Sequence, residues 1–291
     1  MPRRALITGI NGQDGTYLTE LLLERGYCVL GAVRHCPPTV TDHAHTASLC
    51  KGVELVECNL AEKSHIEKVI RRFRPDEVYN LAARASSSDL WTDPVSTGEV
   101  NALAVVGLLD VIHRIAPDTR FVQASSSEVF GNATEAPQTE STPLQPRNPY
   151  GVAKAYGHWI TAVYREQRGL YACSCILYNH ESPRRGMEFV TRKISHGVAR
   201  IKLGLANELR LGNLDARRDW GFAGDYVKAL WLSLQQQAPG DYIVATGETH
   251  SVREFCDIAF SHVGLQYEEY VIQECEDSRG TEPVELIGNP T

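Results

Sequence analysis

Ala5-Leu6-Ile7-Thr8-Gly9-Ile10-Asn11-Gly12-Gln13-Asp14-Gly15 is the stretch on which the fold turns. A short apolar strand runs into glycines at 9, 12 and 15, and Tyr17, Leu18, Leu21 and Leu22 then recur at helical spacing until Gly26 stops the helix. Glycines between a strand and a helix permit a tight turn and let backbone approach a pyrophosphate at the helix N-terminus. The spacing differs from G-x-G-x-x-G, and glycines alone are ordinary turn chemistry. The strand-turn-helix context makes Gly9, Asn11, Gly12, Gln13, Asp14 and Gly15 candidate cofactor-binding residues.

The same alternation continues outward. Val29 to Val33, Val53 to Glu57, Glu77 to Leu81, Phe121 to Ala124 and Cys173 to Leu177 read as strands. Ile66, Val69, Ile70 and Phe73 mark a helix ended before Pro75, residues from Val95 to Ile115 a long helix halted by Pro117, and Tyr150 to Gly169 another. Strands separated by helices require right-handed crossovers and a parallel sheet covered on both faces. The expected fold is α/β, a Rossmann-like doubly wound parallel sheet with a smaller, mixed α/β domain. The dinucleotide-binding domain is expected over 1–178 plus about 219–246, the smaller one over 179–218 plus about 247–291. Asn179 to Trp220 is locally cationic, which suits an anionic ligand as well as a solvated face. Helical spacing returns at Asp225 to Leu234, Tyr242 to Ala245 reads as a strand, and Ser251-Val252-Arg253-Glu254 as a capping box opening a helix through Val263. No closing element is evident after Gly288-Asn289-Pro290.

Composition excludes several classes. With 43% hydrophobic and 22% charged residues in 291, the chain is neither disordered nor fibrous. A net charge of −7 argues against nucleic-acid binding. The apolar stretches read as too short for a bilayer and no signal peptide is evident, so no membrane partner and a cytoplasmic location are expected. Eight cysteines without an export signal fit a reduced protein. Cys173 and Cys175 point to one face of their strand. His35, Cys36, His43, His45 and Cys50 match no zinc spacing, and no metal is expected.

The chemistry lies farther along. The second strand ends Ala32-Val33-Arg34 with no acid in reach, which favours NADP over NAD because a cation suits the 2′-phosphate. Tyr150-Gly151-Val152-Ala153-Lys154 sets a phenol and an ammonium one helical turn apart. A neighbouring lysine is expected to lower the phenol toward a useful base. The motif follows Ser125-Ser126-Ser127-Glu128, hydroxyls and an acid at a strand end, where reacting groups collect in such sheets.

These residues resemble the extended short-chain dehydrogenases/reductases, and within them the GDP-mannose 4,6-dehydratases, over essentially the whole chain. Asn179-His180-Glu181-Ser182-Pro183-Arg184-Arg185-Gly186, Phe189-Val190-Thr191-Arg192-Lys193-Ile194, Leu211-Gly212-Asn213-Leu214-Asp215-Ala216, Arg218-Asp219-Trp220-Gly221 and Ala245-Thr246-Gly247-Glu248 carry the resemblance with the opening glycine segment. It implies an NADP-dependent lyase that turns GDP-mannose or a related GDP-sugar into a 4-dehydro-6-deoxy sugar. It also implies a homodimer or homotetramer. Ser126 matches the catalytic threonine, Glu128 the acid/base, and Tyr150 and Lys154 the redox pair. Arg34, Asn59, Leu60, Leu81, Ala82 and Ala83 are implied at the cofactor with Tyr150 and Lys154. Ser86, Asn179, Glu188, Val190, Lys193 and Arg218 are implied at the substrate.

The chain departs from the family at three places. Arg34 is followed by His35 and Cys36 where consecutive arginines are usual, Asn59 replaces an aspartate, and Ala85 stands for a serine beside the active site. Arg84 is a possible replacement phosphate partner. The family also continues past Thr291 with a helical segment. Two rivals remain: a nucleotide-sugar epimerase of the same fold, and a cofactor-binding regulatory protein without catalysis. Glu128 beside Ser126 favours elimination over epimerisation, and a pure binder has no use for the complete set.

Overall fold

The computed structural model describes residues 1–35, 53–85, 91–274 and 285–291. β1 (Arg4–Thr8) sends Ala5 and Ile7 into one hydrophobic core and Leu6 into another, so both faces of the strand are covered. The chain then forms α1 (Gln13–Glu24), β2 (Cys28–Val33), β3 (Val53–Glu57), α2 (Lys63–Phe73), β4 (Glu77–Asn80), α3 (Pro94–Gly98), α4 (Ala104–Ile115), β5 (Arg120–Ser126), α5 (Pro149–Arg168) and β6 (Ala172–Leu177). β7 (Asn179–Glu181), α6 (Val190–Lys202), β8 (Leu209–Leu211), β9 (Arg217–Arg218) and β10 (Trp220–Phe222) follow. α7 (Ala223–Ser233), β11 (Asp241–Val244), β12 (His250–Ser251), α8 (Val252–His262) and β13 (Val271–Gln273) end the series.

The main sheet has seven strands in the order β11-β6-β5-β4-β1-β2-β3, all parallel. The order reverses between β1 and β4, and that switch point opens a crevice at the strand C-termini. Leu18 and Leu22 of α1 and Val227 and Leu230 of α7 cover one face. Ile66, Val69 and Ile70 of α2 with Leu108, Leu109 and Ile112 of α4 cover the other. Each such buried aliphatic side chain contributes roughly 1.5–3 kcal/mol. Cys173 and Cys175 are buried together on the α1 face, as their alternation predicts.

A separate apolar cluster joins α6, β8 and α8 through Ile194, Val198, Leu209, Leu211, Cys256 and Phe260. Both halves of the Ser251–Glu254 capping box are present at the start of α8. The cationic segment 179–220 therefore folds as β7, α6, β8, β9 and β10.

Three expectations need correction. The glycine turn is shorter than its spacing suggests, because α1 already begins at Gln13 with Gly12 as its N-cap. Pro94–Ile115 is one helical run, joined by a π-helical turn at Glu99–Leu103, and is long and apolar enough by length and composition to cross a membrane. Its apolar character follows from its place on the sheet, where Val105, Leu108, Leu109 and Ile112 are buried. The chain end is also held. Gln138 is fully buried, its backbone bonds Ile287 and Asn289, and its side-chain oxygen accepts from Tyr178 Oη at 2.8 Å and Ile287 N at 3.0 Å.

Candidate active site

Gly9 follows β1 with φ +70°, and an added Cβ would lie 2.8 Å from Ala82 N. A Cβ on Gly15 would meet Gly9 O and Ile10 at 2.5 Å. These contacts are with backbone, which cannot swing aside, so both positions exclude any side chain. Gly12 as N-cap provides no side-chain acceptor for the first amides of α1. An open helix N-terminus at a switch point can hold a diphosphate. Leu81 N donates to Thr8 O, and Ala82 N to Thr8 Oγ1 at 3.1 Å, so the segment after β4 wraps the glycine turn as a cofactor wall would. Ala83 continues that segment.

Gln13 and Asp14 aim elsewhere than expected for cofactor ligands. Gln13 Nε2 donates to His180 O at 3.0 Å and Gln13 Oε1 accepts from Ser182 Oγ at 2.8 Å. Asp14 Oδ2 lies 2.8 Å from His180 Nε2, and the His180 ring stacks on Tyr226. Burial opposes charge on both partners, but their mutual attraction wins. It lowers the Asp14 carboxyl and raises the His180 imidazole. The side chains of α1's first turn thus lock β7 to the glycine turn.

Arg34 stands exposed just past β2. Glu57 pairs with Val33 across β2 and β3, and its carboxylate lies 3.7 Å from His35 Nδ1. Asn59 Oδ1 accepts from Ala61 N at 3.2 Å and shapes the turn that carries Leu60. Arg84 pairs with Asp93 at 3.5 Å instead of pointing freely toward a phosphate. Cys36, His43, His45, Cys50 and Ser86 lie outside the described residues.

The side chains expected to react, Ser126, Glu128, Tyr150 and Lys154, lie around the C-terminal end of β5. β5 extends past Ala124 to Ser126, whose Oγ accepts from Glu128 N at 3.3 Å. Lys154 is 3% exposed; its Nζ donates to Ala124 O at 2.8 Å and lies 5.6 Å from the Tyr150 ring centroid. Burial pushes Lys154 down to about 8, against the charge of Asp14. The phenol is raised, not lowered as expected. Burial pushes Tyr150 up to about 12, while the neighbouring Ser126 hydroxyl and the Arg185 guanidinium pull the other way.

Sequence reasoning missed the support beneath these groups. Thr8 Oγ1 donates to Asn80 Oδ1 at 2.6 Å, Asn80 Nδ2 to Gln123 Oε1 at 2.7 Å, and Gln123 Nε2 to the carbonyl of Ala124 that also receives Lys154. A buried polar chain crosses three strands to hold the lysine. Asn80 and Gln123 inside apolar strand runs were its sequence signal. Asn148 also went unread: its Oδ1 caps α5 by accepting from Gly151 N at 2.7 Å, and its Nδ2 donates to Glu128 Oε2 at 2.8 Å.

The residues expected at the substrate are brought together in part. Asn179 pairs in register with Trp220, just beyond Arg218, so those two flank one short parallel ladder. Arg218 belongs to β9, which pairs with β12. Val190 opens α6 and packs on its apolar cluster, while Glu188 and Lys193 stand exposed around the same helix start.

A glycine-cradled helix at the switch point of a parallel sheet, with Ser126, Tyr150 and Lys154 at the neighbouring strand end, defines an enzyme of the extended short-chain dehydrogenase/reductase class. The family model described as GDP-mannose 4,6 dehydratase matches residues 6–287, and the chain belongs to that family. It is similar to GDP-mannose 4,6 dehydratase 1 of Arabidopsis thaliana, 46% identical over 99% of this chain and 82% of that one. It is also similar to the GDP-mannose 4,6-dehydratase of Vibrio cholerae serotype O1, 47% identical over 91% of this chain and 73% of that one. Among solved structures, the UDP-glucose 4-epimerase of Thermus thermophilus in complex with NAD superposes with a TM-score of 0.84 at 27% identity, over 99% of this chain and 90% of that one. The dTDP-glucose 4,6-dehydratase of Streptomyces venezuelae, at 21% identity and a TM-score of 0.85, shares the fold over 99% of this chain and 88% of that one.

Proposed function

We propose that the protein is a GDP-mannose 4,6-dehydratase that uses NADP and forms GDP-4-dehydro-6-deoxy-mannose. The observation that carries this reading is the placement of Glu128 on the same strand end as Ser126, bonded to Asn148 at the start of the helix that carries Tyr150. Oxidation and its reversal use Tyr150, Lys154 and Ser126; only elimination also uses a carboxylate. The side-chain-free cradle of Gly9 and Gly15 and the uncapped amides of α1 fit the cofactor diphosphate. Exposed Arg34 fits the 2′-phosphate.

NADP, held by the glycine turn and Arg34, would supply a hydride acceptor for carbon 4 of the hexose and a hydride donor for carbon 6. Tyr150 Oη takes the proton of the carbon-4 hydroxyl. A phenol at about 12 needs help to do so at neutral pH, and the positive charge of Lys154 beside the ring supports its ionised form. Ser126 Oγ donates to the developing carbon-4 oxyanion. The resulting ketone acidifies carbon 5, and the Glu128 carboxylate removes that proton and passes one to the hydroxide leaving carbon 6. Asn179 and Arg218 bind sugar and diphosphate, with Glu188, Val190 and Lys193 at the start of α6 and Ser86 completing the substrate set.

We also infer self-association as a dimer or tetramer. Val152, Tyr156, Trp159 and Val163 repeat along α5 and are 41–56% exposed, a continuous apolar stripe that a second copy would cover.

Incubation with GDP-mannose tests the reaction. Wild type should yield a product lighter by one water, Tyr150→Phe no reaction, and Glu128→Gln reduced cofactor without loss of water. A Glu128→Gln enzyme that dehydrates at the wild-type rate would falsify the role given to the carboxylate.

A further inference from the structure

We propose that Asn148 is the positioning residue that holds Glu128 in its eliminating orientation, an assignment that rests on the dehydratase reading above. Asn148 is the N-cap of α5, in extended conformation, with Pro149 and Tyr150 following it in the first turn. Its two side-chain atoms are used in opposite directions. Oδ1 accepts from Gly151 N at 2.7 Å, and Nδ2 donates to Glu128 Oε2 at 2.8 Å. The reverse orientation would set Oδ1 against a carboxylate and Nδ2 against an N–H, so the two contacts fix the amide and each other.

Capping alone does not account for asparagine here. Serine, aspartate and asparagine cap helices about equally well. Only asparagine among them carries an acceptor and a neutral donor on one planar fork, and the second prong goes to Glu128. One side chain therefore couples the helix that carries Tyr150 and Lys154 to the turn that carries the carboxylate. An added Cβ at Gly151 would lie 2.6 Å from Glu128 O, so that turn rests directly on the helix start. With Oε2 held by Asn148, Oε1 is the oxygen left to take the proton from carbon 5.

Two variants keep a capping oxygen and remove the amide prong: Asn148→Ser, whose single shorter hydroxyl serves the cap, and Asn148→Asp, which has no donor. For both, oxidation at carbon 4 is read from the single-turnover appearance of reduced cofactor, and carbon-5 proton removal from deuterium uptake in heavy water. Asn148→Ser should keep its melting temperature, its KM for GDP-mannose and its oxidation rate. It should lose deuterium uptake and product formation by roughly ten- to a hundredfold, the effect of one hydrogen bond to a charged group. Asn148→Asp should lose at least as much, and the acidic limb of its elimination pH profile should move to higher pH, because a second carboxylate then faces the first. Equal loss in both half-reactions, or none in either, overturns the positioning role while wild-type turnover leaves the dehydratase reading intact. A wild-type enzyme that releases no water from GDP-mannose overturns both.

Discussion

Lys154 is buried, bonded to a main-chain carbonyl and held at about 8, well below the 10.5 of a free lysine. Its proton is bound in both folded and unfolded chains at pH 7, so the full cost of burying the charge is present there. Between pH 8 and 10.5 only the unfolded chain retains the proton, and stability rises with pH. Lys154→Met should therefore be more stable than wild type at pH 7 by roughly 1–3 kcal/mol, with the gain vanishing by pH 10.5. Urea unfolding at the two pH values checks this; a Met variant less stable at pH 7 would contradict it. Tyr150, Lys154, Ser126 and Glu128 were legible because local spacing and strand-end position single them out. Asn148, Gln123 and His180 were not, because their significance lies in partners fixed by tertiary contact. His180 meets Asp14 only where β7 crosses the glycine turn.

Elements were legible wherever one periodicity dominates: β1 to β6 and the helices between them follow directly from apolar spacing. The short ladders were not, since strands such as β9 and β12 are too brief to show alternation and exist through pairing. The π-helical turn at Glu99–Leu103 has no sequence signal that we recognise. On the proposed reading, the glycine turn is the element on which cofactor binding depends most. Gly15→Ala would drive a methyl to within 2.5 Å of Gly9 O, and should destabilise the protein by about 1–3 kcal/mol. It should also weaken NADP binding at least tenfold. Gly98→Ala, with nothing within 4 Å of the added carbon, is the control and should be neutral or stabilising by up to ~1 kcal/mol. Denaturation and calorimetry on the pair separate crowding from a general glycine effect.

One sheet carries the glycine cradle and the groups proposed to react, while α6, β8 and α8 build a second core beside it. The exposed stripe on α5 runs along the same helix that bears Tyr150 and Lys154. On the proposed self-association, wild type should run as a dimer or tetramer in light scattering and Trp159→Lys as a monomer; a monomeric wild type, or an unchanged mass in the variant, would contradict the role given to this stripe. Gln138 ties the chain end to Tyr178, a contact invisible in sequence because its partners are separated by most of the second half of the chain. The central claim is that the site stores a hydride from carbon 4 and returns it to carbon 6 after water leaves. GDP-mannose deuterated at carbon 4 tests it directly: the product, examined by mass spectrometry and NMR, should have lost one water and carry the deuterium on carbon 6. Deuterium returned to carbon 4 in an epimer of unchanged mass, or no product at all, would contradict it.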